Sequence, residues 1–233
     1  MNQQLPLDLH LRDSASFENF VTGDNQQAFE RLSALNTNST AAGMFWLWGS
    51  ACGKTHLLEA VCHQALANDV TVIYLTLTDP DIVPEMLEGL EQLDIVCIDN
   101  IDAVVGNTEW EQALFVLCER FHDQNGSLVL ASRAAPQALA IALPDLRSRL
   151  LGWFMVFALK PLDDTGKAEA LRRRAHNRGL EIADEVVQYV LKRYPRDMHA
   201  LFDLIEKIDS ASLAQQRRIT IPFLRSLDDK PAN

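Results

Sequence analysis

Apolar residues alternate along the chain between short, nearly continuous runs and longer stretches at helical spacing. The short runs, which predict strands, cover residues 45–48, 70–77, 93–98, 127–132 and 154–159. The run at 93–98 is apolar on both faces, which is typical of a strand in the middle of a parallel sheet covered by helices. The pattern therefore predicts an α/β fold built on a parallel sheet.

Stretches with apolar residues three or four positions apart predict helices between these strands. They include a helix that begins near Thr55, a short one at 81–90, one capped by Thr108 and one at 143–150. After residue 161 only helical patterns remain, at 165–178, 184–194 and 197–213. We therefore expect a tail at residues 1–11, an α/β domain at 12–160 and a small helical domain at 161–233.

The junction between the first strand and its helix has the composition of a phosphate-binding loop. Such a loop directs backbone N–H groups and the positive end of a helix dipole toward one point, as a polyphosphate requires. Lys54 would supply a charge to the β-phosphate, and Thr55 a hydroxyl to Mg²⁺. The usual loop has four residues between its glycines. Here the loop either is one residue shorter and starts at Gly49, or has Trp48 in place of its first glycine.

Asp99 follows the apolar run at 93–98 and should lie at the carboxyl edge of the sheet, beside the phosphate loop. There it would hold Mg²⁺ through water or cap the next turn. Asn100 follows, where nucleotide-hydrolysing proteins of this architecture usually carry an acidic residue. Its amide can hydrogen-bond a water molecule but cannot take a proton from it at neutral pH. We therefore expect nucleotide binding with slow hydrolysis or none.

Three further residues are candidates for phosphate recognition. Ser132, expected to be exposed at the end of the run at 127–132, would sense a γ-phosphate or polarise water, or would serve only as a turn residue. Arg147 and Arg149 lie on the predicted helix at 143–150, in an acid-rich half of the chain. They form a solvated face, or they present a guanidinium to the phosphate of a neighbouring protein as an arginine finger in trans.

Composition excludes several classes of function. A net charge of −11 argues against direct binding to nucleic acid or to an anionic membrane. The excess of acidic residues is confined to residues 1–160, which hold 8 Lys/Arg and 20 Asp/Glu. Residues 161–233 hold 13 Lys/Arg and 12 Asp/Glu. No signal peptide or membrane-spanning run is present, so we expect a soluble cytoplasmic protein. The four cysteines and six histidines lack ligand spacing, which argues for reduced core thiols and against a zinc site.

The segment at residues 4–9 alternates apolar and other residues, with Gln4 followed by Leu5, Leu7 and Leu9. One interpretation is a frayed terminus. The other is a peptide that binds in extended form, with Gln4 hydrogen-bonded and the leucines in pockets. The segment resembles the short peptides by which bacterial proteins dock on the sliding clamp of DNA polymerase.

Five segments taken together resemble the DnaA-like AAA+ ATPases and, among these, the Hda family. They are residues 17–23, 53–58, 97–101, 143–150 and 219–223. Several are ordinary alone, but their order and spacing are specific, and the resemblance covers the whole chain. It implies an AAA+ phosphate-loop domain with a parallel sheet, followed by a small α-helical lid domain.

The resemblance also implies a nucleotide site. Phe20 and Val21 would lie near the base, Thr55 and Asp99 would hold Mg²⁺, and Arg149 matches the arginine finger. In the lid, His199 stands where DnaA-like proteins carry a sensor arginine, and Arg196 lies one turn earlier; this departure, with Asn100 and the short loop, favours bound ADP. The expected nucleotide-binding residues are Phe20, Val21, Gly49, Ser50, Ala51, Cys52, Gly53, Lys54, Thr55, His56, Asp99, Asn100, Ser132, Arg196 and His199.

Finally, the resemblance implies a function. Members of the Hda family carry a clamp-binding peptide at the position of residues 4–9 and act on DnaA. The expectation is a negative regulator of replication initiation that is tethered to the DNA-loaded sliding clamp and uses Arg149 to stimulate hydrolysis of DnaA-bound ATP. It would meet DNA indirectly, through the clamp, and form a homodimer or a higher oligomer. The alternative is an autonomous AAA+ ATPase, such as a helicase loader, that hydrolyses its own ATP.

Overall fold

The computed structural model describes residues 15–35, 42–124, 126–215 and 219–228. The chain divides into two compact units. The first comprises the described residues up to Phe20 together with Asp24–Pro161, and the second comprises Val21–Gly23 and the described residues from Leu162 onward. The expected tail at residues 1–11 lies outside the described residues.

The first unit is built on a five-stranded sheet in which every pairing is parallel. The strands are β1 (Met44–Trp48), β2 (Val72–Thr76), β3 (Ile95–Asp99), β4 (Ser127–Ser132) and β5 (Met155–Ala158), and their order across the sheet is β2-β3-β4-β1-β5. Every residue of β3 and β4 is buried, as expected for strands inside a covered parallel sheet. The predicted α/β fold with a parallel sheet is confirmed.

Helices cover both faces of this sheet. They are α1 (Gln26–Ser33), α2 (Lys54–Ala67), α3 (Thr108–His122) and α4 (Pro144–Gly152). Successive side chains of a strand point to opposite faces. Phe45 and Leu47 accordingly pack into one core with α1 and α2, whereas Trp46 packs into the other with α3 and α4. Helices α2 and α4 therefore lie on opposite faces of the sheet.

The prediction of a helix at residues 81–90 is wrong. This segment instead forms short 3₁₀ turns at Pro84–Leu87 and Leu90–Gln92. Gly89 lies between them with φ +82°, a left-handed conformation that interrupts a helix. A second correction concerns the start of α3, where the capping residue is Asn107 rather than Thr108. The Asn107 side chain accepts hydrogen bonds from the N–H groups of Glu109 and Trp110.

The second unit is helical, as predicted. Its helices are α5 (Asp164–Asn177), α6 (Asp184–Arg193), α7 (Met198–Gln215) and α8 (Ile221–Asp228), packed around a shared apolar core. The three consecutive arginines of α5 each pair with a carboxylate of this unit: Arg172 with Asp184, Arg173 with Glu169 and Arg174 with Glu206. Among the described residues, no helix combines the length and the apolar character needed to cross a membrane.

Candidate functional site

The loop between β1 and α2 starts at Gly49. Trp48 belongs to β1, where it is in register with Ser132 of β4 and Ala158 of β5. The N–H of Gly49 donates to the carbonyl of Ser132 and so continues the sheet for one residue. Of the two alternatives, the shorter loop is therefore the one that the chain adopts.

Both glycines of this loop are required by their surroundings. Gly49 has φ +142°, and a Cβ there would lie 2.4 Å from the carbonyl oxygen of Leu159. Gly53 has φ +84°, and a Cβ there would lie 2.9 Å from the ring of Phe20. A side chain at either position would strain the backbone and collide with a neighbour. The glycines thus let the loop fold tightly against β5 and the aromatic ring.

The loop closes around its own lysine. The Lys54 ammonium donates to the carbonyl oxygen of Gly49 at 2.5 Å, across the mouth of the loop. Helix α2 begins at Lys54, and the Gly53 that precedes it has no side chain to cap the first turn. The first N–H groups of a helix have no partner within the helix. The loop therefore combines a cation with backbone donors at one point, an arrangement suited to a phosphate.

Beside the loop, Thr55 and Asp99 form a pair of oxygen donors. The Thr55 hydroxyl donates to Asp99 Oδ2 at 2.5 Å, and Asp99 is only 1% exposed. The hydroxyl of Tyr74, on β2, lies 3.4 Å from the same carboxylate oxygen. Burial and the negative charge of Asp99 raise the pKa of Tyr74, so this hydroxyl keeps its proton as a donor. Sequence reasoning did not identify Tyr74, since its position in a strand carries no motif.

This pair fits Mg²⁺, which prefers oxygen ligands and usually keeps several waters and phosphate oxygens in its shell. No group of three or more His, Cys, Asp or Glu side chains among the described residues could form a metal site by itself. A cation at Thr55 and Asp99 would therefore depend on a nucleotide for the rest of its ligands. The donor set suits a metal that enters with a nucleotide rather than a resident structural ion.

Asn100 shapes the turn that follows β3. It has φ +58°, a left-handed conformation that asparagine adopts more readily than most residues. Its N–H donates to Asp99 Oδ1 at 2.8 Å, and its side-chain amide donates to Thr76 Oγ1 at 3.0 Å. The side chain of Asn100, in the position that is usually acidic, is thus held by the neighbouring strand, and its backbone N–H helps orient Asp99.

Ser132 is buried rather than exposed, which corrects the expectation for its position. Its hydroxyl accepts a hydrogen bond from Trp46 Nε1 at 2.8 Å and donates to the carbonyl of Ala134 at 2.6 Å. Trp46 is in register with Leu130, two residues before Ser132, so the two side chains share one face of the sheet. A role for Ser132 in sensing phosphate stays a prediction.

Phe20, one of the two residues expected near the base, belongs to an aromatic cluster beside the loop. Phe20 is buried, lies parallel to Phe29 at 6.0 Å between ring centroids, and meets the ring of His56 edge-on at 5.4 Å. His56 Nε2 lies 2.9 Å from the carbonyl of Ser16. Cys52 is also buried there. Burial raises the pKa of its thiol more than the nearby Lys54 ammonium lowers it.

Arg149 is held on the other face of the sheet. Its Nε donates to Glu119 Oε1 of α3 at 2.6 Å, and its guanidinium lies 4.5 Å from the centre of the Trp153 ring. Arg147, on the same helix, is exposed. Sequence reasoning identified Arg149 but missed Glu119 and Trp153, because their contacts join separate elements.

Glu111 is a buried carboxylate that the sequence analysis also missed. It is 1% exposed, and its two oxygens accept the N–H groups of Gly106, Ala142 and Leu143 at 2.7–3.0 Å. Two of these donors come directly before α4. A glutamate at an apolar position of an amphipathic helix is the signal that could have identified it. Glu111 thereby fixes the start of the helix that carries Arg149.

The remaining predicted residues lie elsewhere. Val21, Arg196 and His199 belong to the second unit, and their role in nucleotide binding stays a prediction. Arg196 pairs with Asp164 at 3.1 Å, and the His199 N–H donates to Asp197. The expected clamp-binding residues lie outside the described residues; they are Gln4, Leu5, Leu7 and Leu9.

Comparisons with known proteins agree with this architecture. Residues 11–157 match the family model of the bacterial DnaA ATPase domain, and residues 164–227 match that of the Hda lid domain. A protein of Haemophilus influenzae described as uncharacterized is 40% identical over 230 residues, which are 97% of this chain and 99% of that protein.

Solved structures share the fold at lower identity. Domain III of the replication initiation protein DnaA from Thermotoga maritima matches with a TM-score of 0.77 at 22% identity, covering 93% of this chain and 96% of that one. AMPPCP-bound DnaA from Aquifex aeolicus matches with a TM-score of 0.71 at 23% identity, covering 85% of this chain and 66% of that one. The two family models together span both units, and we conclude that the chain belongs to the DnaA family of AAA+ proteins, as an Hda-like homologue of DnaA.

Proposed function

We propose that the first unit binds a nucleoside diphosphate, ADP, with Mg²⁺. The Lys54 ammonium and the N-terminus of α2 would hold the phosphates, and Thr55 with Asp99 would hold the cation. Mg²⁺, when bound, neutralises phosphate charge. Asn100 leaves the site without a base beside Asp99, so hydrolysis of a bound triphosphate is slow or absent. Support for an adenine nucleotide comes from the related DnaA of Aquifex aeolicus, whose solved structure is AMPPCP-bound.

We infer further that this protein acts on a partner through Arg149 rather than by hydrolysing a nucleotide in its own phosphate loop. The observation that carries this inference is the location of Arg149 on α4, across the sheet from α2 and Lys54. A guanidinium there is poorly placed to serve the chain's own nucleotide. Supplied to the ATP of a DnaA partner, an arginine finger can raise hydrolysis by about 10³- to 10⁵-fold. The chain would then act as a negative regulator of replication initiation.

In this proposal the sliding clamp brings the chain close to DnaA. Gln4, Leu5, Leu7 and Leu9 would bind the sliding clamp of DNA polymerase III as an extended peptide. Tethering to DNA-loaded clamp raises the local concentration of the chain near DnaA without any further contact. DNA is met through the clamp, in agreement with the net charge of −11. A homodimer or higher oligomer is the expected assembly.

The second candidate is an autonomous AAA+ ATPase, such as a helicase loader. The observation that favours it is the closed arrangement of Lys54, Thr55 and Asp99, which is complete for binding a nucleotide with a metal. Turnover of ATP by the isolated chain separates the two functions. Brisk hydrolysis that does not depend on clamp or DnaA would support the second candidate and contradict the first.

The experiment measures hydrolysis of DnaA-bound ATP with DNA-loaded clamp. We expect Arg149→Ala to abolish stimulation and Gln4→Ala to weaken it. Arg147→Ala is the matched control, since it removes an exposed arginine from the same helix and should leave stimulation intact. Undiminished stimulation by Arg149→Ala would refute the finger. Undiminished stimulation by Gln4→Ala, with clamp still required, would refute the peptide assignment.

A further inference from the structure

The guanidinium of Arg149 is held from two directions by its own chain. Glu119 accepts from Nε along one edge, and Trp153 covers one face. Trp153 is in turn fixed by His122, whose ring lies parallel to it with 3.9 Å between centroids and 5° between planes. Glu119 and His122 are both on α3, so this helix determines the direction in which Arg149 points.

The contact with Glu119 leaves the far end of the guanidinium available. An arginine has five N–H donors, and the bond to Glu119 uses the one on Nε. Among the described residues, no hydrogen bond engages Nη1 or Nη2 of Arg149. The side chain is 37% exposed. The two terminal nitrogens can therefore still form a bidentate contact with an anion while Glu119 holds the other edge.

The same helix also fixes the origin of α4. Glu111 accepts the N–H groups of Ala142 and Leu143, directly before α4 begins. It lies eight residues before Glu119, about two turns away along α3. One carboxylate thus anchors the start of α4, and the other holds the side chain near its end. Helix α3 therefore holds both the backbone at the start of α4 and the guanidinium of Arg149.

We propose that Glu119 and Trp153 are positioning residues for Arg149, which hold its Nε edge and one face of its guanidinium and leave the terminal nitrogens to contact the phosphate of a partner. This inference rests on the proposed function of Arg149 as a finger in trans. A flexible arginine must lose rotamer freedom when it enters a partner's active site. Holding Nε and one face of the guanidinium before the partner binds reduces that loss of rotamer freedom. Small errors in such geometry can cost about 10²-fold in rate.

The kinetic test compares Glu119→Ala, Glu119→Gln and Arg120→Ala in the DnaA-bound ATP assay, with the chain concentration varied. Glu119→Ala should lower the maximal stimulated rate about tenfold to a hundredfold, with little change in the concentration for half-maximal effect. Glu119→Gln should keep most of the rate, since its amide oxygen can still accept from Nε. Arg120→Ala is the control, because it removes the neighbouring ion pair with Glu91 and should keep the rate.

A second measurement tests the positioning without DnaA. The Nε–H signal of Arg149 in ¹⁵N NMR, assigned by its loss in Arg149→Lys, should exchange slowly with solvent in the native chain and in Glu119→Gln. It should exchange fast in Glu119→Ala. Slow exchange in Glu119→Ala would overturn the positioning role, as would a stimulated rate for Glu119→Ala at or above that of the native chain.

The two proposals fail in different ways. If Arg149→Ala stimulates normally, the finger itself is refuted, while the NMR measurement still decides whether Glu119 orders the guanidinium. If Arg149→Ala is inactive and Glu119→Ala is fully active, the finger stands and the positioning role is refuted.

Discussion

The Thr55 hydroxyl donates a hydrogen bond to Asp99 Oδ2 at 2.5 Å, and this contact joins the start of α2 to the end of β3. It brings the two predicted magnesium ligands together, although they are 44 residues apart in the chain. The parallel arrangement of β1 and β3 explains the contact, because the carboxyl ends of both strands lie at the same edge of the sheet.

Asp99→Asn should weaken Mg²⁺-dependent binding of ADP by about tenfold or more. The amide can still accept from Thr55, but it lacks the charge that a divalent cation requires. Calorimetric titration with ADP, in Mg²⁺ and in EDTA, would measure the difference. The exposed Asp123→Asn is the control for loss of one negative charge. Equal affinity of Asp99→Asn and the native chain in Mg²⁺ would exclude Asp99 from the metal site.

Glu111→Gln should destabilise the first unit by about 1–3 kcal/mol. The native carboxylate accepts three backbone N–H groups, whereas an amide turns one acceptor into a donor that faces either the N–H of Leu143 or the N–H groups of Gly106 and Ala142. Urea unfolding followed by circular dichroism would measure the loss. Glu109→Gln, exposed on the same helix, should change stability by less than about 0.5 kcal/mol. An equal loss of unfolding free energy in Glu111→Gln and Glu109→Gln would contradict the role of Glu111.

Ser132→Ala should cost about 1–3 kcal/mol, since it leaves the buried indole N–H of Trp46 without its acceptor. In a double-mutant cycle with Trp46→Phe, the cost of Ser132→Ala should be smaller in the Trp46→Phe background. Thermal unfolding of the four proteins would provide the comparison. Full additivity would show that the Trp46 bond contributes little.

Asp94 should contribute stability that disappears in acid. The hydroxyl of Thr71 at 2.6 Å and its N–H at 2.9 Å both donate to Asp94 Oδ2, and they hold the pKa of this carboxyl below its ordinary value. A lowered folded pKa means that the contribution is complete above the unfolded pKa of about 4 and is lost as pH falls through the folded pKa. Asp94→Ala should therefore differ from the native chain in urea unfolding at pH 7, and the difference should shrink below about pH 4. A stability difference between the two proteins that grows as the pH falls would contradict the lowered pKa of Asp94.

The native thiols should react slowly with Ellman's reagent at pH 8. All four cysteines are buried; burial raises the pKa values of Cys52 and Cys118, and a hydrogen bond with Cys62 together with burial raises that of Cys97. Four thiols should react at once in guanidinium chloride. Cys52 provides the sharpest case, since it lies in the phosphate loop close to Lys54. Fast reaction of one thiol, lost in Cys52→Ser, would mean that the lysine outweighs burial.

The sequence by itself determined the order and type of the main elements of this protein. Strands such as β3 and β4 could be predicted because a buried parallel strand must be apolar on both faces, whatever its neighbours are. The loop at residues 49–53 and Asp99 could be selected as candidates from residue types at local spacings or at strand ends, and Arg149 from its match to the family pattern, and the roles of all three stay predictions. The 3₁₀ turns at residues 84–92 were missed, because glycine conformation overrides apolar spacing there.

Only the tertiary structure decided which side chains meet across elements. Burial of Ser132 depends on the register of β1 and β4, and the contacts of Glu111 and Glu119 depend on how α3 packs against the segment that carries Arg149. Such pairs are separated by about 30 residues or more and leave no periodic signal in the chain. Local patterns depend on the conformation of neighbouring residues, whereas these contacts exist only after the sheet and its covering helices have assembled.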